Sequence, residues 1–162
     1  QSAQGDRAVV EILRDMGADI RWEGSELVSR ASRLHGLRVD CAQIPDLVPI
    51  LAVAMAAAEG ESRITGAARL RIKESDRLSA MAAALTAAGA DAAELPDGLA
   101  IRGGKPLHAA KIEGCNDHRI VMAMAIASAL SDGEWTITDA EATAKSAPAF
   151  WQEFERLGGR TR

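Results

Sequence analysis

The sequence predicts an α+β fold made of two copies of one unit, in which short strands accompany two helices per copy. Three observations support this prediction. The Gly-Ala-Asp motif at residues 17–19 recurs 72 residues later at 89–91. The elements after each motif come in the same order, which is the signature of an internal repeat. Finally, 33 alanines stand against two Phe, three Trp and no Tyr, so the helices must pack closely through small side chains.

The first copy begins with a helix that Gly17 ends, because glycine readily supplies a C-terminal stop. Two strands joined by a tight turn follow, then a third strand, a second helix and a closing strand. The second helix has almost no polar face and should therefore be buried inside the domain. The bounds we assign are 9–16 for the first helix, 23–24 for the turn, 37–41 for the third strand, 47–58 for the second helix and 62–65 for the closing strand.

The second copy repeats this order, and a final helix follows it. Its bounds are 76–88 for the first helix, 96–98 for the turn, 110–113 for the third strand, 120–130 for the second helix, 135–138 for the closing strand and 147–157 for the final helix. We therefore divide the chain into residues 1–67, a first unit that lacks its first strand, and residues 68–162, a second unit with a C-terminal helix.

Composition excludes several classes of function. A net charge of −4, a pI near 5.4 and few aromatic residues argue against nucleic acid as a partner. No apolar run reaches the roughly 18 residues needed to cross a membrane, and we see no signal peptide. Cys41 and Cys115 form no CxxC pair and are expected to be free thiols in a reducing cytoplasm. No cluster has metal-ligand spacing, and no glycine-rich loop indicates a nucleotide cofactor.

A first group of candidate residues lies at positions 69–77. Residues 69–73 alternate, so a strand would place Arg69, Arg71 and Lys73 on one side and two apolar residues on the other. A helix then begins with Ser75 or Asp76 as its cap, and Glu74 could meet Arg77 across one turn. The ordinary interpretation is a capped, solvated helix start with surface ion pairs.

A second group, at residues 116–119, lies at the entrance of the second apolar helix. Its ordinary interpretation is an Asn or Asp cap followed by an unrelated His and Arg, and the same applies to Asp46 after Pro45. The repeat changes this balance. It places Asp46 and Asp117 at equivalent helix starts, and Lys73 and Lys145 at equivalent positions after the closing strands.

Together these residues predict a cationic site on an acidic protein. Helix N-termini favour anions, and arginine binds phosphate or carboxylate through a fork of N–H groups. Asp46 and Glu74 would then serve as general acid and base, and His118 is the remaining candidate for that role. The cations in this prediction are Arg69, Lys73, Arg77, Arg119 and Lys145.

At these motifs the sequence resembles the EPSP synthase (3-phosphoshikimate 1-carboxyvinyltransferase) family. The resemblance rests on Lys-Glu-Ser-Asp-Arg-Leu at 73–78, Asp-His-Arg at 117–119, Ile-Pro-Asp at 44–46 and Lys145. It implies an inside-out α/β barrel (EPT/RTPC-like), with two similar domains of three βαββαβ units each and a cleft between them. By this resemblance the chain looks like the C-terminal portion, and the N-terminal domain that would be its partner is absent.

The resemblance also implies an activity. Such enzymes move the enolpyruvyl group of phosphoenolpyruvate onto the 5-hydroxyl of shikimate 3-phosphate and release phosphate, with no metal or organic cofactor. We expect a monomeric cytoplasmic enzyme when intact, and an inactive chain when its N-terminal half is missing. The alternatives left open are the related enzyme that uses UDP-N-acetylglucosamine and a non-catalytic anion-binding module.

Roles for individual residues come from the same resemblance. Asp46 would accept the proton of the reacting hydroxyl, and Glu74 would handle the proton of the methylene carbon. Lys73 would bind shikimate 3-phosphate. Some members carry Asn at the place of Arg69, where it helps to bind that substrate, so Arg69 is a further candidate. The residues expected to hold phosphoenolpyruvate are Arg77, Arg119 and Lys145, with His118 beside them.

Overall fold

Each copy of the repeat folds into the order of elements that its pattern predicts, in a computed structural model that describes residues 5–162. The helices are α1 (Ala8–Asp15), α2 (Val48–Ala57), α3 (Arg77–Ala87), α4 (His118–Ser128) and α5 (Phe150–Arg156). The strands are β1 (Asp19–Glu23), β2 (Glu26–Arg30), β3 (Arg38–Asp40), β4 (Gly60–Thr65), β5 (Asp91–Leu95), β6 (Gly98–Gly103), β7 (Lys111–Ile112) and β8 (Thr136–Ile137). These bounds agree with the predicted ones to within three residues.

Short 3₁₀ helices lie at the junctions between these elements. They span Gly5–Arg7, Pro45–Leu47, Ala68–Ile72 and Ala140–Lys145. The second leads directly into α2, and the third and fourth follow the closing strands β4 and β8. Three of the four therefore carry a residue that the sequence analysis selected.

The strands form three sheets. One has four strands in the order β3-β4-β6-β5, with β3 and β4 parallel and the other pairs antiparallel. The antiparallel pair β1-β2 and the parallel pair β7-β8 form the other two. The repeat extends to the register: Asp19 lies opposite Arg30, and 72 residues later Asp91 lies opposite Arg102.

The two apolar helices lie in the hydrophobic core, as predicted. In α2, seven of the ten residues are buried, and in α4 seven of the eleven are. Alanines make this possible, because Ala52 and Ala56 of α2 and Ala123 and Ala127 of α4 are at most 2% exposed. Helices faced with such small side chains can approach closely, and close packing is what gives a protein interior its density.

The four-stranded sheet crosses the boundary that we drew between residues 67 and 68. It takes β3 and β4 from one side and β5 and β6 from the other, and β4 pairs directly with β6. The division into 1–67 and 68–162 therefore stays a prediction about the sequence repeat. Within residues 5–162, no helix is both long and apolar enough to span a bilayer.

The prediction of a strand at residues 69–73 is wrong. Residues 68–72 form a 3₁₀ helix, in which Leu70 is fully buried while Ile72 is 85% exposed. A 3₁₀ helix has three residues per turn, so residues two apart do not share a side. Arg71 anchors this helix to the β5–β6 hairpin, because its guanidinium donates to the backbone carbonyls of Leu95 and Pro96.

Candidate active site

Arg77 lies at the centre of a cluster of charged side chains. It is the first residue of α3, whose cap is Asp76: the carboxylate accepts from the backbone N–H of Ser79 at 3.1 Å. The Arg77 side chain is only 2% exposed. This helix start is therefore not the solvated one of the ordinary interpretation, and its guanidinium must find partners inside the protein.

Three carboxylates supply those partners. The Arg77 guanidinium donates to Asp117 Oδ2 at 2.7 Å and Oδ1 at 3.2 Å, to Asp46 Oδ1 at 3.0 Å and to Glu74 Oε2 at 2.7 Å. Four of the five N–H groups of an arginine are thus engaged. We call Arg77 with Asp46, Glu74 and Asp117 the Arg77 cluster.

Asp117 is the most deeply buried member of this cluster. Its side chain is inaccessible, and as the cap of α4 it accepts from the backbone N–H of Arg119 at 2.9 Å. The Ser75 hydroxyl donates to it at 2.9 Å. Burial by itself would raise the pKa of Asp117, but the hydrogen bonds from Arg77, Arg119 and Ser75 outweigh it and the pKa lies below its usual value. The carboxylate is therefore ionised at neutral pH.

Asp46 and Glu74 are the accessible carboxylates of the cluster. Their side chains are 35% and 40% exposed, so a ligand can reach them. Asp46 lies in the 3₁₀ helix before α2, where Arg119 also contacts it: the guanidinium donates to the backbone carbonyl at 3.1 Å and to Oδ2 at 3.4 Å. Two carboxylates suited to proton transfer thus share one buried cation.

Asp46 and Arg119 also line a groove between α2 and α4. The groove has a volume of about 200 Å³. Apart from these two charged residues, its lining is apolar and comes from Pro49, Ile50, Met122, Ala123 and Ile126.

Lys145 lies at the end of the 3₁₀ helix Ala140–Lys145, next to the loop that begins α4. Its ammonium group donates to the backbone carbonyl of Asn116 at 2.5 Å and to the Asn116 side-chain oxygen at 3.0 Å. Because Asn116 precedes Asp117, this contact brings Lys145 to the same helix start as the Arg77 cluster.

The other selected residues are more dispersed. Lys73 is exposed and makes no hydrogen bond within the described part of the chain. Arg69, also exposed, donates to the carbonyl of Ala42 in the loop before α2, at 2.9 Å. His118 is the first residue of α4 and is 8% exposed, and its Nδ1 atom has no partner among residues 5–162. None of these three contacts the Arg77 cluster through a hydrogen bond.

Sequence reasoning left out three residues that the structure places at this site. Asp117 was recognised as a helix start equivalent to Asp46 and as part of the Asp-His-Arg motif but was given no role, although it pairs with Arg77 through both carboxylate oxygens. Ser75 and Asn116 were regarded as capping candidates, yet Ser75 bonds Asp117 and Asn116 bonds Lys145. The available signal was the repeat itself, because it aligns the two helix starts that Arg77 joins.

The chemistry open to this arrangement is anion binding combined with proton transfer. Arg119 contacts Asp46 and is partly exposed, so one cation beside an accessible carboxylate can reach a ligand, and Lys73 and Lys145 are exposed as well. Within residues 5–162, no group of three or more His, Cys, Asp or Glu side chains could hold a metal ion. Cys41 and Cys115 are both free; Cys41 is buried, and burial raises the pKa of its thiol to about 11.

Comparison with known proteins finds relatives that match almost the whole chain. The family model for EPSP synthase (3-phosphoshikimate 1-carboxyvinyltransferase) matches residues 1–154. The chain is 47% identical over 158 residues to the 3-phosphoshikimate 1-carboxyvinyltransferase of Clostridium novyi, covering 98% of this chain and 36% of that protein. It is also 47% identical over 161 residues to the 3-phosphoshikimate 1-carboxyvinyltransferase of Methanocella arvoryzae, and this match covers 98% of this chain and 38% of that protein. The chain thus spans little more than a third of the length of these relatives.

Solved structures give the same result. The EPSP synthase of Acinetobacter baumannii superposes with a TM-score of 0.79 at 36% identity, covering 95% of this chain and 39% of that one. The enolpyruvyl transferase NikO of Streptomyces tendae superposes with a TM-score of 0.80 at 22% identity, covering 98% and 38%, and this likeness concerns the fold alone. The fold is therefore of the EPT/RTPC-like, inside-out α/β barrel type that the motifs implied, and the chain belongs to the EPSP synthase family.

Proposed function

We propose that the protein containing this chain transfers the enolpyruvyl group of phosphoenolpyruvate to the 5-hydroxyl of shikimate 3-phosphate and releases phosphate. The observation that carries the proposal is the Arg77 cluster, in which the family's motifs meet in space. The buried Arg77 guanidinium donates hydrogen bonds to two accessible carboxylates, Asp46 and Glu74. Arg119 contacts Asp46 as well. Two anionic substrates must be brought together in this reaction, so cations are needed to offset their repulsion.

In this proposal Asp46 accepts the proton of the attacking hydroxyl, and Glu74 handles the proton at the methylene carbon. The support is their position: each accepts one hydrogen bond from Arg77 and keeps about a third or more of its side chain exposed. Because both carboxylates accept from the same guanidinium, Arg77 fixes their positions relative to one another.

The cations are divided between the two substrates. Lys73 and Arg69 bind shikimate 3-phosphate. The phosphate and carboxylate of phosphoenolpyruvate are bound by Arg77, Arg119 and Lys145, and His118 lies beside these three residues. Arg77 has one N–H left after its four bonds to carboxylates. Its contribution to substrate is therefore a single bond, and its larger contribution is to hold Asp46 and Glu74 in place.

The proposal is tested with a full-length chimera, because the chain spans about a third of its relatives. This chain would replace the matching 158 residues of the Clostridium novyi enzyme, and phosphate release would be followed with phosphoenolpyruvate and shikimate 3-phosphate. We expect turnover with this acceptor and none with UDP-N-acetylglucosamine. Turnover with the second acceptor only, or with neither, would refute the proposal.

The roles of the two carboxylates are tested in the same chimera. We expect Asp46→Asn and Glu74→Gln each to lower kcat by about 10²-fold, the usual size of a general acid–base contribution. Asp132→Asn is the matched control, since Asp132 is an exposed loop residue. A kcat within threefold of the parent in either amide variant would remove that residue from its assigned role.

We infer further that the intact protein works as a monomer in the cytoplasm. The support for the compartment is that both cysteines are free thiols. Sedimentation velocity on the intact protein tests the oligomeric state, and a predominant dimer at micromolar concentration would contradict it. Fractionation of cells that express the native gene tests the compartment.

A further inference from the structure

The loop that begins α4 is strained, and the residue that secures it lies on another element. Cys115 and Asn116 have φ values of 53° and 48°, in the left-handed region that residues other than glycine seldom adopt. Asp139, just after β8, also has a left-handed backbone, with a φ of 54°. Its carboxylate accepts from the backbone N–H of Asn116 at 2.9 Å. The strained turn is thus tied to the start of the 3₁₀ helix that carries Lys145.

The first copy of the repeat achieves the same connection without this strain. Gly66 is the counterpart of Asp139, since each follows the threonine of a closing strand, and its φ of 72° is left-handed as well. In the first copy, the loop before α2 is held by the strand that precedes it: the carboxylate of Asp40, at the end of β3, accepts from the backbone N–H of Ala42 at 2.9 Å. A Cβ atom at Gly66 would lie 2.1 Å from that carboxylate. The first copy therefore has glycine where the second has an aspartate.

Loop length explains the difference. Five residues separate Asp40 from Asp46, whereas only three separate its counterpart Glu113 from Asp117. The shorter connection reaches the helix through two left-handed residues, a conformation that is unfavourable for residues other than glycine. Such strain persists where the surroundings enforce it and is frequent at functional sites. One contact that holds the turn here is the hydrogen bond from the Asn116 backbone N–H to the Asp139 carboxylate.

We propose that Asp139 is a positioning residue that acts on Lys145 through Asn116. By fixing the Asn116 turn, Asp139 fixes the two Asn116 oxygens that hold the Lys145 ammonium group, at 2.5 and 3.0 Å. The same turn sets the residue before Asp117, the cap of α4. Asp139 thereby places the cation assigned to phosphoenolpyruvate without touching substrate. The substrate part of this inference rests on the proposed function, while the positioning part does not.

Three substitutions separate the carboxylate from the backbone. Asp139→Gly removes the acceptor and relieves the left-handed strain, Asp139→Ala removes the acceptor and keeps the strain, and Asp139→Asn keeps an acceptor oxygen and tolerates the left-handed region. In the 162-residue chain we expect the Asn116 amide to exchange at least about tenfold faster in the Gly and Ala variants, the effect of one lost hydrogen bond. In the Asn variant it should stay within threefold of the parent.

The reactivity of the Lys145 ammonium group is measured by competitive acetylation followed by mass spectrometry. The exposed Lys105 serves as the internal reference. The ratio of the Lys145 to the Lys105 rate should rise at least threefold in Asp139→Gly and stay unchanged in Asp139→Asn. If Asp139→Gly alters neither the exchange of the Asn116 amide nor this ratio, the inference is wrong, whatever the chimera does.

The full-length chimera separates positioning from general stability. Asp139→Gly should raise KM for phosphoenolpyruvate about tenfold, with Asp139→Asn near the parent value. In a Lys145→Met background the same change should raise KM less than twofold, because residues that act through one contact are not additive. Equal effects in both backgrounds would reduce Asp139 to a structural role. An inactive parent chimera would refute the proposed function, and the measurements on the chain would still decide the positioning.

Discussion

A single buried arginine holds the candidate site together. The Arg77 guanidinium is almost fully buried against Asp117, which is inaccessible. Neither partner can turn to water if the other is removed, and an uncompensated buried charge is costly. The same bonds bring together helix starts from the two copies, since Asp46 and Asp117 lie 31 and 40 residues from Arg77 along the chain.

We therefore expect Arg77→Met to lower the free energy of unfolding by about 3–5 kcal/mol, as for other broken buried pairs. Urea denaturation at neutral pH measures this. The control is Arg102→Met, because the Arg102–Glu61 pair lies exposed on the sheet surface and should contribute less than about 1 kcal/mol. Comparable losses in the two variants would mean that burial does not set the strength of the Arg77 pairs.

The lowered pKa of Asp117 makes stability depend on acid pH. The folded pKa lies below the ordinary value of 3.8, so the stabilisation is complete above that value and is lost as the pH falls through the folded pKa. As the pH falls below 3.8, the parent should lose more free energy of unfolding than Asp117→Asn does. Urea titrations between pH 2.5 and 6 test this, with Asp132→Asn as the exposed control. Parallel curves for the parent and Asp117→Asn would contradict the assignment.

At the residue scale, the sequence indicated which side chains belong to the site but not their contacts. Periodicity and spacing report on neighbours within about one turn, and they correctly indicated that Glu74 and Arg77 meet. They carry no information on a contact such as Lys145 with Asn116, 29 residues apart. The left-handed turn at Cys115 and Asn116 was equally hidden, because neither residue is the glycine that marks such turns.

At the scale of elements, β4 and β6 approach so closely that one position admits only glycine. A Cβ atom at Gly98, the first residue of β6, would lie 1.8 Å from the carbonyl oxygen of Ile64. Ile64 belongs to β4 and pairs with the next residue of β6, Leu99. A side chain here would therefore force apart the two central strands of the sheet.

We expect Gly98→Ala to lower the free energy of unfolding by about 2–3 kcal/mol, the cost of overpacking, and to accelerate amide exchange along β4. Gly24→Ala is the comparison: Gly24 has a φ of 63° but nothing within 4 Å of an added Cβ atom, so it should cost about 1 kcal/mol from backbone strain alone. Hydrogen exchange of β4 that is unchanged in Gly98→Ala would contradict this explanation.

The elements were the most predictable part of the fold. The repeat and the apolar pattern of α2 and α4 predicted every α-helix and the order of helices and strands along the chain, because burial imposes a period on the sequence. The pairing of the strands within the sheets was not predicted. The error at residues 69–73 has a physical reason. A five-residue alternation is too short to distinguish a strand from a 3₁₀ helix, and here the contacts of Arg71 with the neighbouring hairpin decide the conformation.

At the scale of the whole molecule, we predict that the 162-residue chain alone gives no turnover. In the proposed function the Arg77 cluster forms one wall of the substrate site, and the relatives carry nearly two thirds of their length outside the matched region. Closure of a site around its substrates usually completes the catalytic contacts. A coupled phosphate-release assay on the purified chain measures this, with the chimera as positive control. Turnover above background would show that this chain suffices.

The pairing of β4 with β6 has a consequence for how the two copies can change over time. Glu61 of β4 faces Arg102 of β6 and forms an ion pair with it, and Ser62 faces Ile101. A substitution at these positions of β4 is therefore met by a residue of the other copy, while β3 and β5 contact the opposite edges of β4 and β6 from within their own copies. Along the β4–β6 seam, a change in one copy has to be compatible with the facing residue of the other.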